Sequence, residues 1–321
     1  MKFARSLLAL AALTVVALPG AHAQDWPNRN IRIIVPFPAG GSTDVAARLV
    51  GNYLTQTLGQ QVIVDNRSGA NGNIAIELAA KSPADGYALL VVPESVVSNP
   101  HVYKVNYNAL KDLTPVIQLS RQPIVLAAHP ELGVKTIAEL VAMVKKQPGM
   151  RYATGSGVGS QQHMVTEWFA QIAGIQMTQV PYRGGGQAIN DLIAGHIKLG
   201  TLGSTPLIPH YRAGKLRMLA QSTAARAKSL PEVPTFQEAG IKGLVLDQWL
   251  GVFVPAGTPG PIVTRLNTEI GKALSQPSIR TNFEKSAQEP IGGSAEAFAK
   301  LVRDDFAKFE KLVKELNIKV N

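Results

Sequence analysis

The stretch Ile31-Arg32-Ile33-Ile34-Val35-Pro36-Phe37-Pro38-Ala39-Gly40-Gly41-Ser42-Thr43-Asp44-Val45-Ala46-Ala47-Arg48 decides how the rest of the chain is read. Ile31, Ile33, Ile34 and Val35 are β-branched and predict a short buried strand. Pro36 and Pro38 end it, because neither donates a backbone hydrogen bond. Gly40 and Gly41 permit a sharp turn, and Ser42, Thr43 and Asp44 offer oxygens to cap a helix. That helix shows an apolar face at Val45, Ala46, Leu49, Val50, Tyr53, Leu54 and Leu58 and stops at Gly59. A strand, a glycine turn and a helix N-terminus form an anion site when the first amides are free and the helix dipole points at the ligand. As an isolated motif, the same stretch also fits a plain βα connection.

Working outward, a strand over Gln61–Val64 leads through the polar loop Asp65–Gly72 into a helix bearing Ile74, Ile76, Leu78 and Ala79. Pro83 and Asp85-Gly86 mark a turn before a buried strand at Tyr87–Val92. Three short strands alternating with helices predict a parallel sheet with right-handed crossovers. Pro93-Glu94-Ser95 then falls at a strand's carboxyl end, where open α/β sheets place ligands. Two extended segments, 116–119 and 124–128, flank Arg121-Gln122-Pro123 and suggest a crossing into a second lobe. Thr136 and Glu139 predict a capping box for a helix over 137–146.

A short strand at 151–153 delivers Thr154-Gly155-Ser156-Gly157-Val158-Gly159-Ser160 into a helix over 161–173 that Gly174 stops. This second turn repeats the layout of the first, and two such turns facing each other could hold both ends of a dianion. Strands are further expected at 177–180, 197–202, 216–220 and 250–254. Pro181–Gly186 opens one more helix, and Gly203-Ser204-Thr205 caps a short helical piece around Pro206 and Pro209. The Pro-rich stretch 230–235 is expected to return the chain to the first lobe. Helices over 262–274 and 295–316 close it.

Several of these stretches, taken in order, resemble the Bug (TctC-like) family, the periplasmic solute-binding proteins of tripartite tricarboxylate transporters. They are Val35–Arg48, Val64–Gly72, Asp85–Leu90, Tyr152–Gly157, Val180–Gly186, Leu230–Thr235 and Pro255–Pro259. The resemblance spans essentially the whole chain after its leader. It implies an α/β, type II-like two-lobe periplasmic binding protein, each lobe a mixed sheet flanked by helices, with the ligand cleft between the lobes. Lobe 1 is expected over 24–122 plus 247–321 and lobe 2 over 123–246.

The function implied is capture of a small mono-, di- or tricarboxylate and its delivery to a two-component membrane permease. The alternative is a receptor that reports the ligand to a signalling partner. The resemblance further implies that backbone amides, hydroxyls and ordered water hold the carboxylates. The candidate site comprises Phe37, Ala39, Gly40, Gly41, Ser42, Asp44, Thr154, Ser156, Gly159, Ser160, His163, Tyr182 and Ser204. Where the family pattern often carries an Asp-Asn pair, this chain has Gly203-Ser204, which leaves the ligand's identity open.

Composition fits that reading. Lys2 and Arg5, an apolar run from Leu7 to Leu18 and Ala21-His22-Ala23 predict a signal peptide cleaved after Ala23, hence a periplasmic protein. The run is too short to span a bilayer. The chain has no cysteine, so disulfides and thiolate chemistry are excluded. Its formal charge is +10, but the basic residues are dispersed and lack the clusters that nucleic-acid binding uses. No nucleic-acid partner, no cofactor and a monomer are expected.

An enzyme reading finds no G-x-S-x-G, H-E-x-x-H or G-x-x-x-x-G-K-[ST]. His163 and Glu167 stand four apart on one helix, a spacing that suits a surface contact better than a metal site. Trp26, Trp168 and Trp249 read as core or cleft aromatics, Trp249 being nearest the expected hinge.

Overall fold

The computed structural model describes residues 26–285 and 288–319, so the leader expected over 1–23 lies outside the described residues. In chain order the elements are β1 (Ile31–Val35), α1 (Ser42–Leu58), β2 (Val62–Asn66), α2 (Asn73–Ala80), β3 (Ala88–Pro93), α3 (Ser95–Ser98) and β4 (Leu113–Gln122). After one crossing come β5 (Ile124–Ala128), α4 (Ile137–Lys146), β6 (Met150–Thr154), α5 (Gln161–Ala173), β7 (Met177–Pro181), α6 (Gly185–Ile193), β8 (Leu199–Gly203), α7 (Ile208–Arg212) and β9 (Arg217–Gln221). The chain then returns through β10 (Gln248–Pro255), α8 (Gly260–Ser275), α9 (Pro277–Lys285), β11 (Glu289–Gly292) and α10 (Ala295–Glu315).

These elements form two sheets, hence two lobes. One has six strands in the order β11-β4-β10-β3-β1-β2, the other five in the order β7-β6-β8-β5-β9. The opening strand pairs in parallel with β2 and β3, as the alternation of strands and helices predicts. The remainder of that sheet is antiparallel, because β4 and β10 carry the chain out of the lobe and back. In the second sheet β6 pairs in parallel with β7 and β8, and β5 runs antiparallel to β8 and β9.

Successive strand residues point to opposite faces, and central parallel strands bury both. Thus Ile33 and Val35 meet α1, α8 and α9 on one face, while Ile34, Leu90 and Val92 face the side covered by α2, α3 and α10. The second core is continuous with residues of the other lobe, including Leu126, Tyr152 and Phe169, so one apolar seam runs through both lobes. A third cluster, with Val125, Ala153, Ile189 and Leu202, fills the far face of the second sheet.

Two expectations are corrected here. The Pro-rich stretch 230–235 does not return the chain: Leu230 and Val233 belong to the second lobe's core, and Thr235 bridges Gln221. The return comes at Asp247-Gln248, and β10 is longer than expected because it pairs along nearly all of β4. Helix α9 and the edge strand β11 carry little periodic apolar pattern and went unread. Of its two readings, core or cleft, Trp249 takes the core: it packs edge-on against Phe298 beneath α10 and donates its indole N–H to Asp305 at 2.6 Å.

Candidate ligand cleft

The carboxyl ends of β1 and β3 meet the carboxyl ends of β6, β7 and β8 where the two lobes face each other. Into this space project the turns Pro36–Asp44, Thr154–Ser160, Pro181–Gly186 and Gly203–Thr205. The topology therefore brings together every loop that carries a residue of the predicted site.

The first turn differs in detail from the sequence reading. Helix α1 begins after Gly41 with no side-chain cap, so Ser42, Thr43 and Asp44 do not cap it as expected. The carboxylate of Asp44 instead folds back to accept the Gly40 N–H at 3.0 Å and Asn66 Nδ2 at 3.0 Å, and pairs with Arg48 at 2.9 Å. Burial pushes the Asp44 carboxyl up, but hydrogen bonds from Arg48, Gly40 and Asn66 outweigh it and hold the group below its usual range. Gly40 is thus an unavailable donor, and Asp44 shapes the turn from within.

Gly40 also carries the turn's conformational demand, at φ +87°, whereas Gly41 is extended. Phe37 gives its carbonyl to Asn66, and Ala39 is exposed at the rim. Ser42 Oγ accepts Gln122 Nε2 at 2.9 Å.

The second turn is fastened by its own lobe. Thr154 Oγ1 donates to the Ser156 carbonyl at 2.6 Å and accepts from Gln179. Gln162 takes the Gly155 N–H, and Ser160 Oγ caps α5 at His163 N. His163 Nδ1 accepts the Gly159 N–H at 3.0 Å, so the proton sits on Nε2, 3.6 Å from Glu167. Both ring nitrogens are therefore turned to the protein, and His163 braces the loop. Ser156 Oγ makes no hydrogen bond to any described residue. A Cβ on Gly155 would lie 2.6 Å from Gly185 Cα, so the second and third turns touch backbone to backbone.

Tyr182 donates its hydroxyl to Asp191 at 2.6 Å. Helix α6 starts at Gly184 without a side-chain cap, as α1 starts at Gly41 and as α2, α3, α7 and α8 also start, whereas α4, α5 and α10 are capped by Thr136, Ser160 and Ser294. The starts of α1 and α6 lie on opposite lobes and meet: a Cβ on Gly184 would stand 2.9 Å from the Pro38 ring. Ser204 is wholly buried and its Oγ has no partner.

Residues that the sequence reading passed over join the lobes. Asn71 Oδ1 accepts the Gly157 N–H at 3.0 Å, and Tyr103 donates to the Val158 carbonyl. Gln122 is the centre of a relay at the crossings: it donates to Ser42 and Gln248 and accepts Thr205 Oγ1 at 2.7 Å. Gln161 reaches the Asp247 carbonyl at 2.8 Å. A glutamine carries no pattern that marks it as a hinge residue, so these contacts are invisible before folding. Among the described residues no group of three or more His, Cys, Asp or Glu side chains could hold a metal ion.

Two mixed α/β sheets, two chain crossings between them and facing strand ends define a two-lobed solute-binding protein of the periplasmic type. Residues 46–318 match the family described as Tripartite tricarboxylate transporter family receptor, TctC. The chain belongs to that family. Its relatives include protein BugT of Bordetella pertussis, 35% identical over 308 residues that cover 95% of this chain and 94% of the relative. A UPF0065 protein of Bordetella bronchiseptica is 37% identical, covering 98% of this chain and 94% of its own length.

Among solved structures, an R. palustris protein with adipate is similar at a TM-score of 0.89 and 36% identity, covering 92% of this chain and 99% of its own. MatC of Rhodopseudomonas palustris with bound malate follows at 0.83 and 29%, covering 89% and 99%.

Proposed function

We propose that this protein captures a small organic carboxylate in the cleft and presents it to a two-component membrane permease. The observation that carries the reading is that the uncapped starts of α1 and α6, at Gly41 and Gly184, face each other from opposite lobes. Each offers free amides and the positive end of a helix dipole, which together favour an anion. The amides after Gly41 and those of Ser156 and Val158 would hold the carboxylate, with the Ser156 hydroxyl beside them.

The adipate and malate named with two similar structures support the carboxylate class. Family membership supports delivery to a permease, and together with the leader-like start it supports a periplasmic protein cleaved after Ala23. The lobes in this reading comprise 24–122 plus 247–321 and 123–246, and the protein acts as a monomer without cofactor or catalytic step. Among the described residues no helix is long and apolar enough to cross a membrane.

A thermal-shift screen of mono-, di- and tricarboxylates on the purified protein tests the binding reading. A ligand at a hundred times its Kd adds about 2.7 kcal/mol to stability. If no carboxylate raises the melting temperature, the reading fails. Uptake of the best acid by cells with and without the protein tests its partnership with a permease.

A further inference from the structure

Glu94 stands at the carboxyl end of β3 in the cleft floor and is 2% exposed. Its carboxyl group faces the Gln248 side chain and its own backbone N–H, while Oε2 is buried without any partner. From α10 the nearby charge is Asp305, which is itself bonded to Trp249. At the chain's return, Asp247 faces Arg121, Lys308, Glu289 and Asp305. The basic groups of this region thus face Asp247, leaving Glu94 without a cation. Burial, with the Asp305 charge added, pushes Glu94 up to about 8 against the opposing pull of its own backbone N–H and the Gln248 side chain. At neutral pH it is an uncharged acid, and its proton belongs on Oε2, the oxygen that faces no donor.

Two hydroxyls share this condition. Ser95 Oγ, next in the chain, and Ser204 Oγ, across the cleft, are both buried and unpartnered. Gln248 links the two sides: it faces Glu94, and a Cβ on Gly203 would stand 3.1 Å from its Oε1. Buried polar groups without partners cost about 1–3 kcal/mol each, so unpartnered groups on either side of Gln248 point to an acceptor that completes them.

We propose that Glu94, as a neutral acid, donates its Oε2 proton together with the Ser95 and Ser204 hydroxyls to the second, anionic end of a dicarboxylate. The first carboxylate sits at the amide-lined turns, so this inference rests on the carboxylate reading above. A neutral acid meets a carboxylate through a charge-assisted hydrogen bond. An ionised Glu94 would repel it, so capture requires that Glu94 keep its proton.

Calorimetric titration with the linear dicarboxylates from malonate to adipate, and with the matching monocarboxylates, tests this at pH 6.5 and 9.5. The wild type and Glu94→Gln are compared after circular dichroism confirms folding at both pH values. Wild-type affinity for the best dicarboxylate should fall about thirtyfold at the higher pH, as linkage to a group titrating near 8 requires. Glu94→Gln should bind up to about tenfold more weakly at pH 6.5, having exchanged a charge-assisted bond for a neutral one, and should show no pH dependence. Monocarboxylates should respond to neither change. A flat wild-type profile, or tighter binding of acids bearing an amine at the far end, overturns this inference and leaves the carboxylate reading standing. Failure of every acid to bind at either pH overturns both. If Glu94→Gln does not fold, the wild-type profile alone decides.

Discussion

At the residue scale, the cleft contains polar groups whose roles follow from their partners. Gly40 and Gly41 look interchangeable in sequence, yet only Gly40 is left-handed, at φ +87°, and a Cβ on Gly41 would meet only the Pro38 carbonyl at 3.7 Å. Gly40→Ala should therefore cost about 1–2 kcal/mol in denaturant melts through backbone strain, while Gly41→Ala should be near neutral for stability.

Glu94 supplies a second test. Its folded pKa lies above the unfolded value, so the folded state binds more protons between about pH 4.5 and about pH 8. Its contribution is fully present below that window and is lost as pH rises through it. Melting temperatures of Glu94→Gln should lose that part of the alkaline decline, and an unchanged decline would mean that Glu94 titrates normally.

At the scale of elements, loops carry polar contacts between the lobes in addition to the shared apolar seam. Ala70 and Asn71 both sit in the left-handed region, which strains residues with a Cβ, and Asn71 uses that conformation to reach Gly157 and Asn99. Asn71→Ala removes one bond into the second lobe, at a net cost of about 0.5–1.5 kcal/mol. Expressed in the closed form alone, that loss should weaken binding by up to about tenfold in calorimetry. Unchanged affinity would show that this contact does not contribute to closure.

Helix α10 is held differently. A Cβ on Gly251 would fall 2.0 Å from the Phe298 ring, so the helix is packed onto bare β10 backbone, with Trp249 and Phe253 on either side. Gly251→Ala should lower stability by about 1–3 kcal/mol through overpacking, read as a shifted denaturation midpoint.

At the scale of the whole molecule, closure is constrained by the apolar seam common to both lobes and by the Gln122–Gln248 relay at the two crossings. Opening has to pivot about that seam, since splitting it would expose Leu126, Phe169 and Val302 together. Opening therefore breaks the contacts at the mouth, Gly184 with Pro38 and Asn71 with Gly157, and spares those at the floor. Small-angle scattering should show a larger radius of gyration without ligand than with saturating dicarboxylate. An unchanged radius, with binding confirmed by calorimetry, would mean the cleft is rigid.

The strands, the long helices and their stops were legible in sequence because they depend on local periodicity and on glycine. Helix α1 ends at left-handed Gly59 and α5 at left-handed Gly174, and Thr136 caps α4 as read. The glycine turns were legible for the same reason. What could not be read was which donors in those turns are free. Asp44 takes the Gly40 amide, His163 the Gly159 amide and Asp191 the Tyr182 hydroxyl, each choice set by where a side chain lands after packing. The Gln122, Gln248 and Glu94 cluster joins residues up to 154 positions apart, and burial is the largest cause that raises the pKa of its carboxyl group. Local chain chemistry determined the two lobes and their turns. Only tertiary structure decided the polar floor between them, because desolvation and long-range hydrogen bonding exist only once the lobes have met.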